Sequence, residues 1–282
     1  MDKQSLELSF FLLFLKLLKL LSPQGNIDRF ENALKSYITL SEESTSNPAQ
    51  KMSAFLYPGI THKPWYEPHD NDILNLVSNK LQQGFNDIEN EWLAYISSGC
   101  NIVSRFNASN LFTSLKDDDW KAYLLWKEGN FTQIGLSHFP KTVDILSKLE
   151  PFLYPFGHIE FYVMKPGVVL PPHTDNINTS LTCHLALTIP EKCGISVGGK
   201  TQSWIKGRTL FFDDSFEHEA WNKSQEERVV LSLDLYHPEM TKIEKNLLQF
   251  VLKKFNFSSE EDGVNKIPDT QDIEKVLDKQ AL

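Results

Sequence analysis

The sequence predicts a mainly β fold with flanking helices, an α+β chain built round a sandwich or closed barrel. Two observations carry this. Toward Tyr236, short alternating segments follow one another, separated by Gly or Pro turns, while helical spacing dominates the flanks. With 41% hydrophobic residues, among them 19 Phe, 8 Tyr and 6 Trp in 282 residues, the chain can bury a substantial core.

Residues 6–23, LELSFFLLFLKLLKLLSP, first look like a signal or membrane span. A helix from Leu6 to Leu21 reaches roughly 24 Å, short of a hydrocarbon core of about 30 Å. Ser5, Ser9, Lys16 and Lys19 make one stripe polar, Asp2 and Glu7 lie in the leader region, and no small-x-small cleavage site follows. The expectation is a wide-faced amphipathic helix, packed on its own domain or on a twin subunit. A membrane interface is the alternative and export a third reading.

A second helical pattern covers Ile27 to Leu40, and the polar stretch SEESTSNPAQ (41–50) reads as a linker. Residues 1–50 are thus expected to form an N-terminal helical extension and linker. Residues 51–240 form the main domain, and 241–282 a C-terminal helix with an acidic tail. Residues 72–96 read as helical, with Ile73, Leu74, Val77 and Leu81 on one face. From Tyr123, YLLWKEG is a strand and turn, and FPKTVDILSKLEPFL (139–153) a helix. Strands are expected at 158–164, 168–173, 182–189, 194–197, 201–204, 208–213, 218–221 and 228–236, before a helix at 241–255.

The formal net charge is −9, from 37 acidic and 28 basic residues without a long basic stretch, which argues against nucleic acid as a partner. Cys100, Cys183 and Cys193 give no disulfide framework and no CxxC pair. A reducing, cytoplasmic setting is expected, with a peripheral membrane location as the alternative.

Alternation divides each strand into two faces. In TCHLALTIP, Cys183, Leu185, Leu187 and Ile189 oppose Thr182, His184, Ala186 and Thr188. In RVVLSLDLY, Val229, Leu231, Leu233 and Leu235 oppose Arg228, Val230, Ser232 and Asp234. In HIEFYVM, Ile159, Phe161 and Val163 oppose His158, Glu160, Tyr162 and Met164. The second faces are polar or small. They read either as solvated outer surface or as the lining of a barrel cavity, and His184 and Arg228 favour the cavity.

Non-haem iron is commonly held by two histidines and a carboxylate, with positions left open for substrate and oxygen. Residues i and i+2 of a strand point the same way, so His173 and Asp175 offer two ligands and His218 in FFDDSFEHEAWN a third. The bland readings are satisfied polar histidines and an Asp175 that caps the turn through NINTS. His158-x-Glu160 offers a second such pair, read as structural. HEAW is not HExxH, which disfavours a zincin-type protease. Arg228, ten residues after His218, suits a dicarboxylate because guanidinium binds carboxylate bidentately. Iron ligands with such an arginine suggest 2-oxoglutarate; a surface pair with Glu226 or Glu227 is the competing reading.

Over residues 54–240 the motifs YPGITHKPW, DDDWKAYLLWKEG, HFPKT, MKPGVVLPPHT, CHLALTIP, FDDSFEHEAWN and RVVLSLDLYHPEM occur in order. Together they resemble the aspartyl/asparaginyl β-hydroxylases, iron(II)- and 2-oxoglutarate-dependent oxygenases on a double-stranded β-helix, the jelly-roll or cupin-like core. The first 50 and last 40 residues are not covered. The resemblance implies iron on His173 and His218, with His184 and Arg228 at the two ends of 2-oxoglutarate. Tyr162 falls where animal enzymes have a serine that contacts this co-substrate; a phenol could still donate but reaches further. O2 is the other co-substrate, with ascorbate as a reductant.

The sequence also departs from the animal pattern. Ser180 and Thr182 stand where animal members acting on Asp or Asn carry arginines. Asp175 stands where they have glycine and hold iron with two histidines alone, whereas bacterial relatives that hydroxylate lipid acyl chains have His-x-Asp. The implied chemistry is hydroxylation of an unactivated C–H bond, on peptidyl Asp or Asn or a related substrate. The rival readings are a lipid acyl-chain or small-metabolite hydroxylase and a non-catalytic barrel scaffold.

Overall fold

Alternation in the strands becomes two facing sheets in a computed structural model, which describes residues 27–39, 57–99, 112–175 and 177–254. In chain order the strands are β1 (Trp65–Tyr66), β2 (Trp120–Lys127), β3 (Asn130–Phe131), β4 (His158–Met164), β5 (Val169–His173) and β6 (Ser180–Thr188). They continue as β7 (Cys193–Val197), β8 (Lys200–Gln202), β9 (Thr209–Phe212), β10 (His218–Asn222) and β11 (Arg228–Tyr236). One sheet has the order β1-β9-β6-β11-β4-β2-β3 and the other β5-β10-β7-β8. From β4 to β11 the chain passes back and forth between the sheets, and the neighbours in each are antiparallel. That winding is the double-stranded β-helix, or jelly roll.

The two faces of the larger sheet have different partners. Cys183, Leu185, Leu187, Leu231, Leu233 and Phe161 pack in one cluster with Leu74, Val77, Leu81, Ile88 and Trp92 of the covering helices. Ala186, Val230, Met164 and Trp120 pack inward, against Ile195, Val197 and Ala220 of the smaller sheet. The small-and-polar faces therefore line the barrel interior, and the apolar faces carry the helices.

The helices differ from their sequence pattern at identifiable points. The expected helix over 72–96 is two, α2 (Asp72–Gln83) and α3 (Phe85–Ser97), joined at Gly84, which caps both. A Cβ at Gly84 would press on Ile145 Cδ1, so any other residue there needs the Ile145 side chain to move. Helix α4 (Gln133–His138) was not expected; the Thr132 side chain caps it by accepting from Gly135 N–H at 3.1 Å. Helix α5 (Pro140–Ser147) stops short of 153, and Pro151 lies instead in the 3-10 turn Glu150–Phe152. The β7–β8 hairpin turns through Gly198 and Gly199, with φ of 56° and 74°, as a two-residue loop requires.

Helix α1 (Ile27–Thr39) lies against α6 (Lys242–Lys254). Ile27, Phe30 and Ala33 share a cluster with Tyr57, Tyr236, Leu247, Leu248 and Val251. This part of the N-terminal extension is thus packed onto the main domain. Residues 6–21, the linker 41–50 and the tail 258–282 lie outside the described residues. Among the described residues no helix is long and apolar enough to cross a membrane.

Candidate active site

Strands β5 and β10 pair so that His173 and His218 stand opposite each other, with ring centroids 4.1 Å apart. Each ring is oriented in the same way. His173 Nδ1 lies 2.8 Å from Pro171 O, and His218 Nδ1 2.9 Å from Phe216 O. A carbonyl only accepts, so both Nδ1 atoms carry the proton and both Nε2 lone pairs are left for a ligand. Burial and the neighbouring His173 push His218 down to about 4, so this imidazole is neutral near pH 7. Phe112 stands edge-on to His173 at 4.8 Å. Two imidazoles presented side by side suit a divalent first-row metal such as iron(II).

Asp175 follows β5 and is fixed by its backbone N–H, which donates to Asp214 O at 2.9 Å. Its charge reaches both His218 and Asp214, opposing the lowering of the first pKa and adding to the raising of the second. Among the described residues no three His, Cys, Asp or Glu side chains are gathered as a metal cage. The structure therefore brings His173 and His218 together, while Asp175 acts on His218 through its charge without completing a three-ligand cage. Asp214 is buried, accepts from Thr182 Oγ1 at 2.6 Å, and is held well above the usual carboxylate range by burial and by Asp175.

Deeper in the barrel lies Arg228, only 2% exposed. Its Nε and Nη1 have no hydrogen-bond partner, while Nη2 reaches Met164 Sδ at 3.5 Å. Glu226 and Glu227 are exposed, and among the described residues Arg228 forms no ion pair, so the surface-pair reading is set aside. Burial lowers its pKa to about 10, which still leaves it charged at neutral pH. A buried guanidinium with free donors is chemically suited to an anion.

His184 lies in the same interior. Trp204 Nε1–H donates to its Nδ1 at 3.2 Å, so the neutral ring carries its proton on Nε2. Burial, then Arg228 and His218, hold its pKa well below the usual histidine value. His184 is therefore a neutral donor that feels both the guanidinium and the histidine pair. Tyr162 lies on the same lining, but its hydroxyl donates to Glu160 Oε1 at 2.5 Å and its ring packs at a tilt against Trp120. The hydrogen expected for a co-substrate is turned to Glu160.

A family profile described as Aspartyl/Asparaginyl beta-hydroxylase matches residues 82–238. The chain belongs to that family. It is 32% identical over 190 residues to the mouse and human proteins called Aspartyl/asparaginyl beta-hydroxylase, covering 65% of this chain and 24% of each relative. It is 30% identical over 213 residues to human Aspartate beta-hydroxylase domain-containing protein 2, covering 72% of this chain and 55% of that protein. The chain thus spans about a quarter to a half of the length of these relatives. Among solved structures it is similar to an oxidoreductase of the 2OG-Fe(II) oxygenase family from Burkholderia pseudomallei. That likeness has a TM-score of 0.32 and 12% identity, over 43% of this chain and 69% of the other.

For a β-hydroxylase-family chain, the interior also holds two contacts that the sequence analysis does not assign, one through Trp204 and one through Glu160, there read as structural. Trp204 contacts both His184 and Arg228, whose Cζ lies 4.7 Å from the ring. Glu160, buried at 1%, receives the Tyr162 hydroxyl. The second was legible, since residues two apart on a strand share a face. The first was not, because Trp204 lies past the end of β8, in a loop.

Proposed function

We propose that this chain is an iron(II)- and 2-oxoglutarate-dependent oxygenase that hydroxylates a C–H bond. The observation that carries the reading is Arg228, a buried cation with unpartnered donors, in the barrel that also presents two histidine Nε2 atoms. His173 and His218 would hold iron(II) through Nε2, with Asp175 as the adjacent anionic donor. Arg228 would take one carboxylate of 2-oxoglutarate through its free Nε and Nη1. His184 would donate Nε2–H to the other end. Bound iron supplies the oxidising power by which O2 and 2-oxoglutarate give hydroxylated substrate, succinate and CO2. The protein's share is to fix the ligands, orient the co-substrate and keep water from it, which the aromatic lining of Phe112, Trp120, Trp204 and Phe212 favours.

Peptidyl Asp or Asn is the first substrate class to test, since the relatives are named for it. Ser180 and Thr182 are buried, and the Thr182 hydroxyl is engaged with Asp214. This leaves a carboxylate-bearing substrate without a cation there, and favours screening neutral, lipid and small-metabolite substrates beside Asp and Asn peptides. The test is succinate release from 2-oxoglutarate by protein supplied with iron(II) and ascorbate, against that substrate set. No succinate above the level of His173→Ala with any substrate would leave a barrel scaffold as the better reading.

A further inference from the structure

The loop between β8 and β9 sends one aromatic side chain inward. Trp204 is 4% exposed while its neighbour Ile205 is 70% exposed. Both flanks of the loop are pinned. Ser203 Oγ donates to Cys193 O of β7 at 3.0 Å, and Gly207 N–H donates to Ala186 O of β6 at 2.8 Å. Lys206 pairs outward with Glu89 at 2.6 Å, so the loop's charge leaves the interior as its indole enters.

The indole touches the two proposed co-substrate anchors with different parts of the ring. Its N–H edge donates to His184 Nδ1, and an indole N–H can only donate, so the imidazole keeps its proton on Nε2. Its face lies 4.7 Å from Arg228 Cζ. A π face attracts the cation without using an N–H, so Nε and Nη1 stay unpartnered for an anion. A residue that only filled the core would need neither contact.

The geometry points to Trp204 as the positioning residue of the co-substrate pocket, presetting the His184 tautomer and seating the Arg228 guanidinium so that a dicarboxylate meets both donors in place. The inference rests on the 2-oxoglutarate reading above, and its test separates the two. The full chain loaded with Mn(II), which binds without turnover, is titrated calorimetrically with 2-oxoglutarate. Trp204→Phe keeps a ring beneath Arg228 and removes the N–H. Its dissociation constant is expected to rise about threefold to tenfold, the loss of one hydrogen bond. In a His184→Ala background the same change is expected to add less than about twofold, because the effect runs through His184.

The second readout is independent of 2-oxoglutarate. Imidazole 15N spectra of the unliganded protein, assigned by the signal lost in His184→Ala, are expected to show His184 with its proton on Nε2. In Trp204→Phe they are expected to show a tautomer mixture. A parent His184 protonated on Nδ1 overturns the inference without any variant. So does a Trp204→Phe protein that binds 2-oxoglutarate as tightly as a parent that binds it. A parent that binds none overturns the co-substrate reading itself, and this inference with it.

Discussion

His173 and His218 face each other across the β5–β10 ladder, and each donates Nδ1–H to the carbonyl two residues before it. The repetition follows from strand geometry. A side chain and the backbone two residues back lie on one side of a strand end, so each ring is held by its own chain. The pair is thus pre-oriented by local bonds, and the opposed register alone brings the two rings to 4.1 Å.

Imidazole ligands bring no negative charge to a divalent metal, and Asp175 is the carboxylate whose field already reaches His218. Asp175→Gly is therefore expected to weaken iron(II) binding by at least tenfold, about 1.4 kcal/mol or more, without abolishing it. His173→Ala is expected to lose binding altogether. Equal iron affinity and turnover in Asp175→Gly and parent would reduce Asp175 to a turn residue and leave iron on the two histidines.

Arg228 should show opposite effects on binding and on stability. Losing a charge-assisted contact costs about 1.5–3 kcal/mol, so Arg228→Met should weaken 2-oxoglutarate binding at least tenfold while leaving metal affinity nearly intact. The ligand-free protein should become more stable, by about 1–3 kcal/mol, because Met fills the site without burying an unpaired charge. Urea unfolding of both proteins, with and without 2-oxoglutarate, reads both effects. A less stable ligand-free variant would mean the guanidinium is already satisfied.

His237 sets part of the acid limit of the fold. It is fully buried and neutral, accepting from Glu239 N–H at Nδ1 and contacting the Tyr66 hydroxyl with Nε2 at 3.0 Å. Since Tyr66 gives its own proton to Thr61 O, Nε2 must be the donor. Burial lowers the His237 pKa to about 4 from an ordinary 6.5. The unfolded chain therefore binds more protons between those values, and stability falls as pH drops through that window. The contribution is complete above pH 6.5 and amounts to about 3 kcal/mol at most. His237→Gln should flatten the slope of stability against pH between 6.5 and 4, measured by urea unfolding. An unchanged slope would place the acid limit elsewhere.

Much of this arrangement is legible in the sequence because strand periodicity is rigid. Period-two alternation assigned His184 and Arg228 to the non-apolar faces, and those faces line the barrel. The apolar spacing over 72–96 runs on across Gly84 without marking the break, and the close neighbour of Gly84 is Ile145, sixty-one residues away. Trp204 was overlooked for a similar reason. Its two contacts depend on a loop closing over β6 and β11, which no local pattern encodes. The packing of α1 onto α6 is equally non-local.

Glu244 is fully buried and accepts from four donors: Arg29 Nε at 2.9 Å, Arg29 Nη2 at 2.8 Å, the Tyr57 hydroxyl at 2.8 Å and Thr241 N–H at 2.8 Å. Arg29 also donates to Gly59 O at 2.7 Å, so one fork joins α1, the segment after Tyr57 and α6. Burial pushes the Glu244 pKa up, but the bonds from Arg29, Thr241 and Tyr57 outweigh it and leave the pKa below its ordinary value. Glu244→Ala would remove the carboxylate that accepts from the Tyr57 hydroxyl and pairs with Arg29, and breaking such a pair costs about 3–5 kcal/mol. Glu244→Gln keeps an acceptor and removes the charge, so its cost should be smaller, about 1–3 kcal/mol. Urea unfolding gives the magnitudes, and limited proteolysis gives the location: cleavage within residues 27–39 should appear in Glu244→Ala before the barrel is cut. If Glu244→Ala loses less than about 0.5 kcal/mol and α1 stays protected, the apolar contacts of Ile27 and Phe30 hold the helix without the ion pair.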